Sequence, residues 1–230
     1  MRRIVVIALS VILALVVAMP LASGNPASTE QESAPPGQLN KNLGDLTAEW
    51  WSWAFQDPSP LEGSYTDKKT DEPRCEGEYV EGLFFLAGSS GLDPVKRTCT
   101  VPADTPILFP VVNFVCSKAT EDKPPYTRCA KDFLNGNVLV DSTTYARLAG
   151  KDLKIQRIAS GPFQWTIESD KNPYSDLGLP AEAGTYKAAS DGLWVYLEGG
   201  LNPGRYTLEF GGEFPNADFR QEITYNLKVV

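Results

Sequence analysis

The strongest constraint on the fold is a two-residue alternation at the end of the chain. Ile223, Tyr225, Leu227 and Val229 are apolar, while Glu222, Thr224, Asn226 and Lys228 between them are polar. Successive side chains of a strand point to opposite faces, so this pattern reads as a strand with one dry and one wet side. Residues 205–210 repeat it, with Tyr206, Leu208 and Phe210 on one face and Thr207 and Glu209 on the other. Before them, residues 193–197 (LWVYL) lead into Asn202-Pro203-Gly204, where Pro suits position i+1 and Gly the positive-φ position i+2 of a type II turn. Gly211-Gly212 reads as a turn or bulge. Alternating segments joined by short turns predict a mainly β fold, an antiparallel β-sandwich or jelly-roll-like domain.

Upstream segments extend the same reading. Residues 79–87 (YVEGLFFLA) are aromatic and apolar and end in a Gly88-Ser89-Ser90-Gly91 turn; residues 97–101 (RTCTV) are short and β-branched. Residues 106–114 (PILFPVVNF) form a nearly continuous apolar run, in which Pro110 predicts an edge strand or a bulge. Residues 153–158 and 163–167 read as two further strands, and residues 143–148 as a weak helical turn.

One helix stands out, N-terminal and rich in tryptophan, at residues 43–56 (LGDLTAEWWSWAFQ). Leu46, Trp50, Trp53 and Ala54 share a face, Trp51 and Phe55 widen it, and Glu49, Ser52 and Gln56 lie opposite. Asp45 suits the N-cap or the first turn, and Pro58 and Pro60 stop the helix. So wide an apolar face predicts a helix plugged into a β core. Three tryptophans within four residues also make Trp50, Trp51 and Trp53 candidate ligand contacts, since aromatic faces suit sugar rings.

The first 24 residues carry Arg2 and Arg3, an apolar run over residues 4–19 broken only by Ser10, then Pro20 and the small Ala22-Ser23-Gly24. That is the layout of a cleaved secretory signal. The run has 16 residues, short of the roughly 20 that span a bilayer, so the expectation is no stable membrane span after cleavage, with a retained anchor as the alternative. Residues 25–42, polar, proline-containing and without aromatics, read as a disordered tether. Residues 43–230 read as a single domain, in the extracellular space or periplasm.

Cys75, Cys99, Cys116 and Cys129 are then expected as two disulfides. Of three pairings, Cys75–Cys99 and Cys116–Cys129 are preferred as nearest neighbours. The polar, proline-containing segment between the last two fits a stapled surface loop. A four-thiolate zinc site lacks the close cysteine pairs it needs.

Without residues 1–24, which hold two arginines and no acid, 19 basic residues face 29 acidic ones, a net charge of −10. That balance argues against nucleic acid as a partner. Histidine is absent, which removes the commonest general base and metal ligand and any Ser-His-Asp arrangement. It also excludes type 1 copper. Glu168, Asp191, Glu198, Glu209 and Glu213 remain eligible as a glycosidase carboxylate pair, which needs a separation of about 5–9.5 Å. Their spacing singles out none, and the reading assigns no catalytic residue. Asp170, Asn172 and Asp176, or Asp67, Asp71 and Glu72, are candidate calcium ligands without EF-hand spacing; no other cofactor is expected. Arg97 and Asn113 are polar groups beside aromatic material, candidates to line a pocket or to satisfy buried backbone groups.

Several blocks occur in a distinctive order: Trp50-Trp51-Ser52-Trp53, residues 84–88 (FFLAG), residues 97–102 (RTCTVP), residues 109–113 (FPVVN), Phe210-Gly211-Gly212 and residues 225–229 (YNLKV). Together they resemble a family of uncharacterised exported bacterial and archaeal proteins. The resemblance implies a secreted single domain and supplies no activity. The expected function is therefore a non-enzymatic extracellular or envelope binding domain for a glycan or protein ligand. The alternatives are a carboxylate-dependent polysaccharide hydrolase and a structural envelope component.

Overall fold

The computed structural model describes residues 41–61, 75, 77–89, 94–137, 143–176 and 181–230. The signal segment, most of the tether and the candidate calcium ligands Asp67, Asp71 and Glu72 lie outside these residues. In the first sheet the strands run in the order β1 (Gly77–Val80), β2 (Leu83–Leu86), β4 (Ile107–Ser117), β8 (Gly184–Leu197) and β7 (Gln156–Ile167). The second runs β3 (Val95–Val101), β10 (Phe219–Val229), β9 (Gly204–Phe214), β5 (Tyr145–Leu148) and β6 (Lys151–Asp152). The fold is mainly β, as the alternation implies, but each sheet is mixed. β2 runs parallel to β4, and β3 parallel to β10. The cause is connectivity: β3, which lies between β2 and β4 in sequence, belongs to the opposite sheet, so a crossover replaces a hairpin.

Two cores result. Between the sheets, Cys99, Val101, Leu208, Phe210, Ile223, Tyr225, Leu227 and Val229 meet Phe84, Leu86, Ile107, Phe109 and Val195. The alternating apolar residues of β10 are thus all buried, as their period requires. On the other face of the first sheet, α1 (Leu43–Ala54) sets Leu46, Trp50, Trp51, Trp53 and Ala54 against Phe85, Leu108, Val115, Trp165 and Trp194. Asn42, not Asp45, caps this helix, its side-chain oxygen accepting the Asp45 N–H at 3.0 Å. Asp45 keeps the first-turn position, which favours an acid. Lys41 beside it pairs with Glu49 and Glu81.

A second helix, α2 (Tyr126–Asn137), was hidden by its polar composition; only Ala130, Leu134 and Asn137 are buried. Beyond it, residues 145–148 are strand and not a helical turn, pairing with β9 and burying Ala146 between outward neighbours. Pro110 marks a bulge in β4, whose register shifts between Pro110 and Val112; the strand lies inside its sheet rather than at the edge. Residues 153–158 and 163–167 do not make two strands; β7 bridges most of both, bulging between Ala159 and Gly161. A short helix α3 (Pro173–Asp176) precedes β8.

Two turns also move. The positive φ before β9 falls on Gly200, at 63°, and not on Gly204, which already begins the strand. Gly200 donates to the Leu197 carbonyl at 3.1 Å. Gly211 and Gly212 do not turn; they stay in β9, opposite Glu222 and Gln221, and the hairpin closes through a 3₁₀ turn at Pro215–Ala217.

Both disulfides form in the preferred pairing, Cys75–Cys99 with Cα atoms 4.6 Å apart and Cys116–Cys129 at 6.1 Å. Cys116 sits at the end of β4 and Cys129 in the first turn of α2, so the second bridge staples helix to sheet. Among the described residues, no helix is long and apolar enough to cross a membrane.

Candidate functional site

Five tryptophans are buried, and the way each indole N–H is satisfied differs sharply. Trp50 donates to the Leu86 carbonyl at 3.0 Å, Trp53 to Glu78 at 2.9 Å and Trp165 to the Trp51 carbonyl at 3.3 Å. Trp51 Nε1 and Trp194 Nε1 are buried and meet no hydrogen-bond partner among the described residues, and neither does Asn113 Nδ2. Buried donors are almost always paired, so such a group points to something that belongs beside it.

These groups share one layer. Asn113 on β4 lies opposite Gly192 on β8, so both face the same side of the sheet. By alternation that is also the side of Trp194, which packs edge-on against Trp50 with ring centroids 5.4 Å apart. Gly192 makes the arrangement fit: a Cβ there would stand 2.7 Å from both Asn113 Cβ and Trp194 Nε1. Any larger residue would displace the asparagine or the indole.

Trp51 and Asn113 open onto a common cavity of about 380 Å³. Trp50, Trp51 and Phe55 of α1, with Asn113 and Val115 of β4, line it on one side; Phe114, Phe133, Phe214 and Phe219 line it on the other. Asn113 and Phe114 are consecutive and point to opposite faces of β4, so the cavity wraps the strand's edge. That edge is open because β2 pairs only with Ile107 and Leu108 of β4. The far wall is an aromatic chain, Phe114 stacked on Phe133 at 3.5 Å and Phe133 edge-on to Phe214 at 5.2 Å. The volume falls within the range of small-molecule sites, about 300–1,000 Å³, which combine apolar walls with a few placed polar groups.

The remaining wall is held rigidly. Gln221 accepts the Ser89 N–H at 2.8 Å and donates to the Val111 carbonyl. Behind it, the buried Arg97 donates to the carbonyls of Ala87 and Gly88 at 3.1 and 2.9 Å and to the Tyr225 hydroxyl at 2.8 Å. Its guanidinium lies over the Tyr225 ring, 5.5 Å from the centroid, and no carboxylate among the described residues pairs with it. Asp122, also on the wall, accepts from Ser117 N–H at 3.0 Å and from the Thr120 hydroxyl at 2.6 Å.

Of the sequence candidates, then, Trp50, Trp51 and Asn113 line one cavity, Arg97 braces its wall from behind, and Trp53 lies away from it, tied to Glu78. The part played by Phe114, Phe133, Phe214 and Phe219 could not be read in advance, because it depends on where α2 and the β9–β10 hairpin meet. The lone polar Asn113 inside an apolar run was the available signal.

The acids do not assemble into a pair. Asp191 lies mid-strand in β8, not at a strand end, and is buried and gripped by Arg157, whose Nη2 stands 2.6 Å from its Oδ2. Glu168 accepts the Asp57 N–H at 2.9 Å and is exposed. In the candidate calcium loop, Asn172 Oδ1 already accepts from Tyr174 and Ser175 N–H, and Asp170 from Ala183 N–H. Among the described residues, one group of metal-ligating types is close enough to share an ion: Cys116, Asp122 and Cys129, within 4.8 Å, with its two sulfurs bonded to each other. Groups with displaced pKa values do not line the cavity: burial raises Tyr145 and Tyr196, and hydrogen bonds between Lys41 and its acids raise Lys41 and lower Glu81.

No family model and no curated protein matches the chain. Two solved structures are similar at a low level. A chain in the structure of PbICP-C in complex with falcipain-2 is 10% identical, with 64% of this chain and 98% of that one covered and a TM-score of 0.22. The solution structure of amebosin is 10% identical over 66% of this chain and 100% of that one, with a TM-score of 0.20. At such scores neither carries an argument.

Proposed function

We propose that this is a non-enzymatic, exported binding domain that holds a small, largely apolar molecule in the cavity at the open edge of β4. The observation that carries the reading is the pairing of an aromatic cavity with two buried donors, Trp51 Nε1 and Asn113 Nδ2, that have no partner. Export is supported by the two disulfides, which persist in oxidising compartments, and by the signal-like first 24 residues. A sugar-stacking platform has less support, since all five tryptophan rings are buried. The large exposed aromatic among the described residues is Tyr79.

Ala217 gives the test. It lines the cavity yet is exposed, so Ala217→Trp fills the mouth without repacking the core. The apolar fluorescent probe N-phenyl-1-naphthylamine should bind the secreted protein saturably. Ala217→Trp should weaken it by about tenfold or more, with an unchanged far-ultraviolet circular dichroism spectrum. Equal binding to both proteins, or none to either, would overturn the reading.

A further inference from the structure

We infer that the ligand of this cavity is an uncharged aromatic molecule carrying a carbonyl-type acceptor oxygen, an inference that rests on the binding reading above. Trp51 Nε1 can only donate, and Asn113 Nδ2 carries two N–H donors. Both are buried, both belong to residues lining the same cavity, and neither has an acceptor among the described residues. Trp51 is 4% exposed, so bulk water does not reach it freely. A hydrocarbon would leave these donors unpaired, and a cation would face them with the wrong sign. An oxygen with two lone pairs answers both.

The walls define the rest of the molecule. Trp51, Phe55, Phe114 and Phe133 present rings, and rings pair best edge-to-face or offset-stacked, which favours a flat aromatic body. Net charge is disfavoured in either direction. Asp122 stands on the wall, while the Arg97 guanidinium lies directly behind the Gly88 backbone. An anion would meet the first, and a cation would approach the second.

The test compares 6-propionyl-2-(dimethylamino)naphthalene, a neutral aryl ketone, with its 6-propyl analogue, which lacks only the oxygen. Each is titrated by calorimetry into the secreted protein. The ketone should bind about five- to tenfold more tightly, the usual gain from satisfying a buried donor. Asn113→Leu and Trp51→Phe each remove one donor while keeping bulk. Each should pull the ketone toward the analogue's affinity and leave the analogue within about twofold. Asn113→Leu alone suffices if Trp51→Phe fails to fold.

Equal affinities in the unmodified protein would overturn the acceptor, meaning that water or nothing occupies the donors, while the binding reading survives through the Ala217→Trp result. Tighter binding of 2-naphthoate than of the ketone would overturn the neutral assignment. Binding of neither ketone nor analogue would overturn this inference, and N-phenyl-1-naphthylamine binding would show whether the broader reading falls with it.

Discussion

Replacing Trp50 with alanine should lower the free energy of unfolding by about 3–5 kcal/mol, the range for truncating a buried tryptophan. Trp50 is 2% exposed and sits where α1 meets the first sheet. Its ring makes edge contacts with Trp51, Trp53 and Trp194 at 5.4–6.0 Å, so its loss leaves three large side chains facing a void. Its indole N–H also satisfies the Leu86 carbonyl, at the point where β2 leaves the sheet and the open edge of β4 begins. The substitution therefore loosens both the helix and the cavity floor. Urea unfolding monitored by circular dichroism measures the change. A loss below about 1 kcal/mol, typical of an exposed site, would mean that α1 is not docked as described.

The second large effect concerns the Cys75–Cys99 bridge. Its sequence separation of 24 places it among loops whose cross-linking stabilises by about 3–4 kcal/mol in the chain-entropy account. Cys99 is buried in the core between the sheets, on the strand that pairs with β10. Alanine at both positions keeps that site apolar, so the expected loss comes chiefly from the chain before β1 being released. For a domain of this size the melting temperature should fall by roughly 10 °C. A shift under about 2 °C would show that the bridge constrains little. The non-reduced mass of the unmodified protein should be lower by the four hydrogens of two disulfides.

Legibility in the sequence followed the range of the interactions. The β10 alternation and the apolar face of α1 are local periodicities, and both predicted burial residue by residue. Neighbouring cysteines found each other for a similar reason, since short loops close most readily. What failed was decided at long range. The parallel β2–β4 and β3–β10 pairs exist because the chain changes sheets between β2 and β4. α2 shows so few buried residues that only its contacts, with Phe114 and Phe214 against Phe133, reveal why it lies there. At the site, Asn113 was visible as a polar break in an apolar run. The donor on Trp51 was not, because Trp50 and Trp53 carry the same group and both found acceptors.

The most direct measurement is a ¹H–¹⁵N spectrum of the tryptophan indoles and asparagine amides as the naphthyl ketone is added to saturation. Binding in the cavity predicts that the Trp51 indole proton moves downfield and the Asn113 amide pair shifts with it. The Trp53 indole, already bound to Glu78, should stay in place. Saturation with Trp51 and Asn113 unmoved, or shifts confined to the surface around Tyr79, would contradict the account.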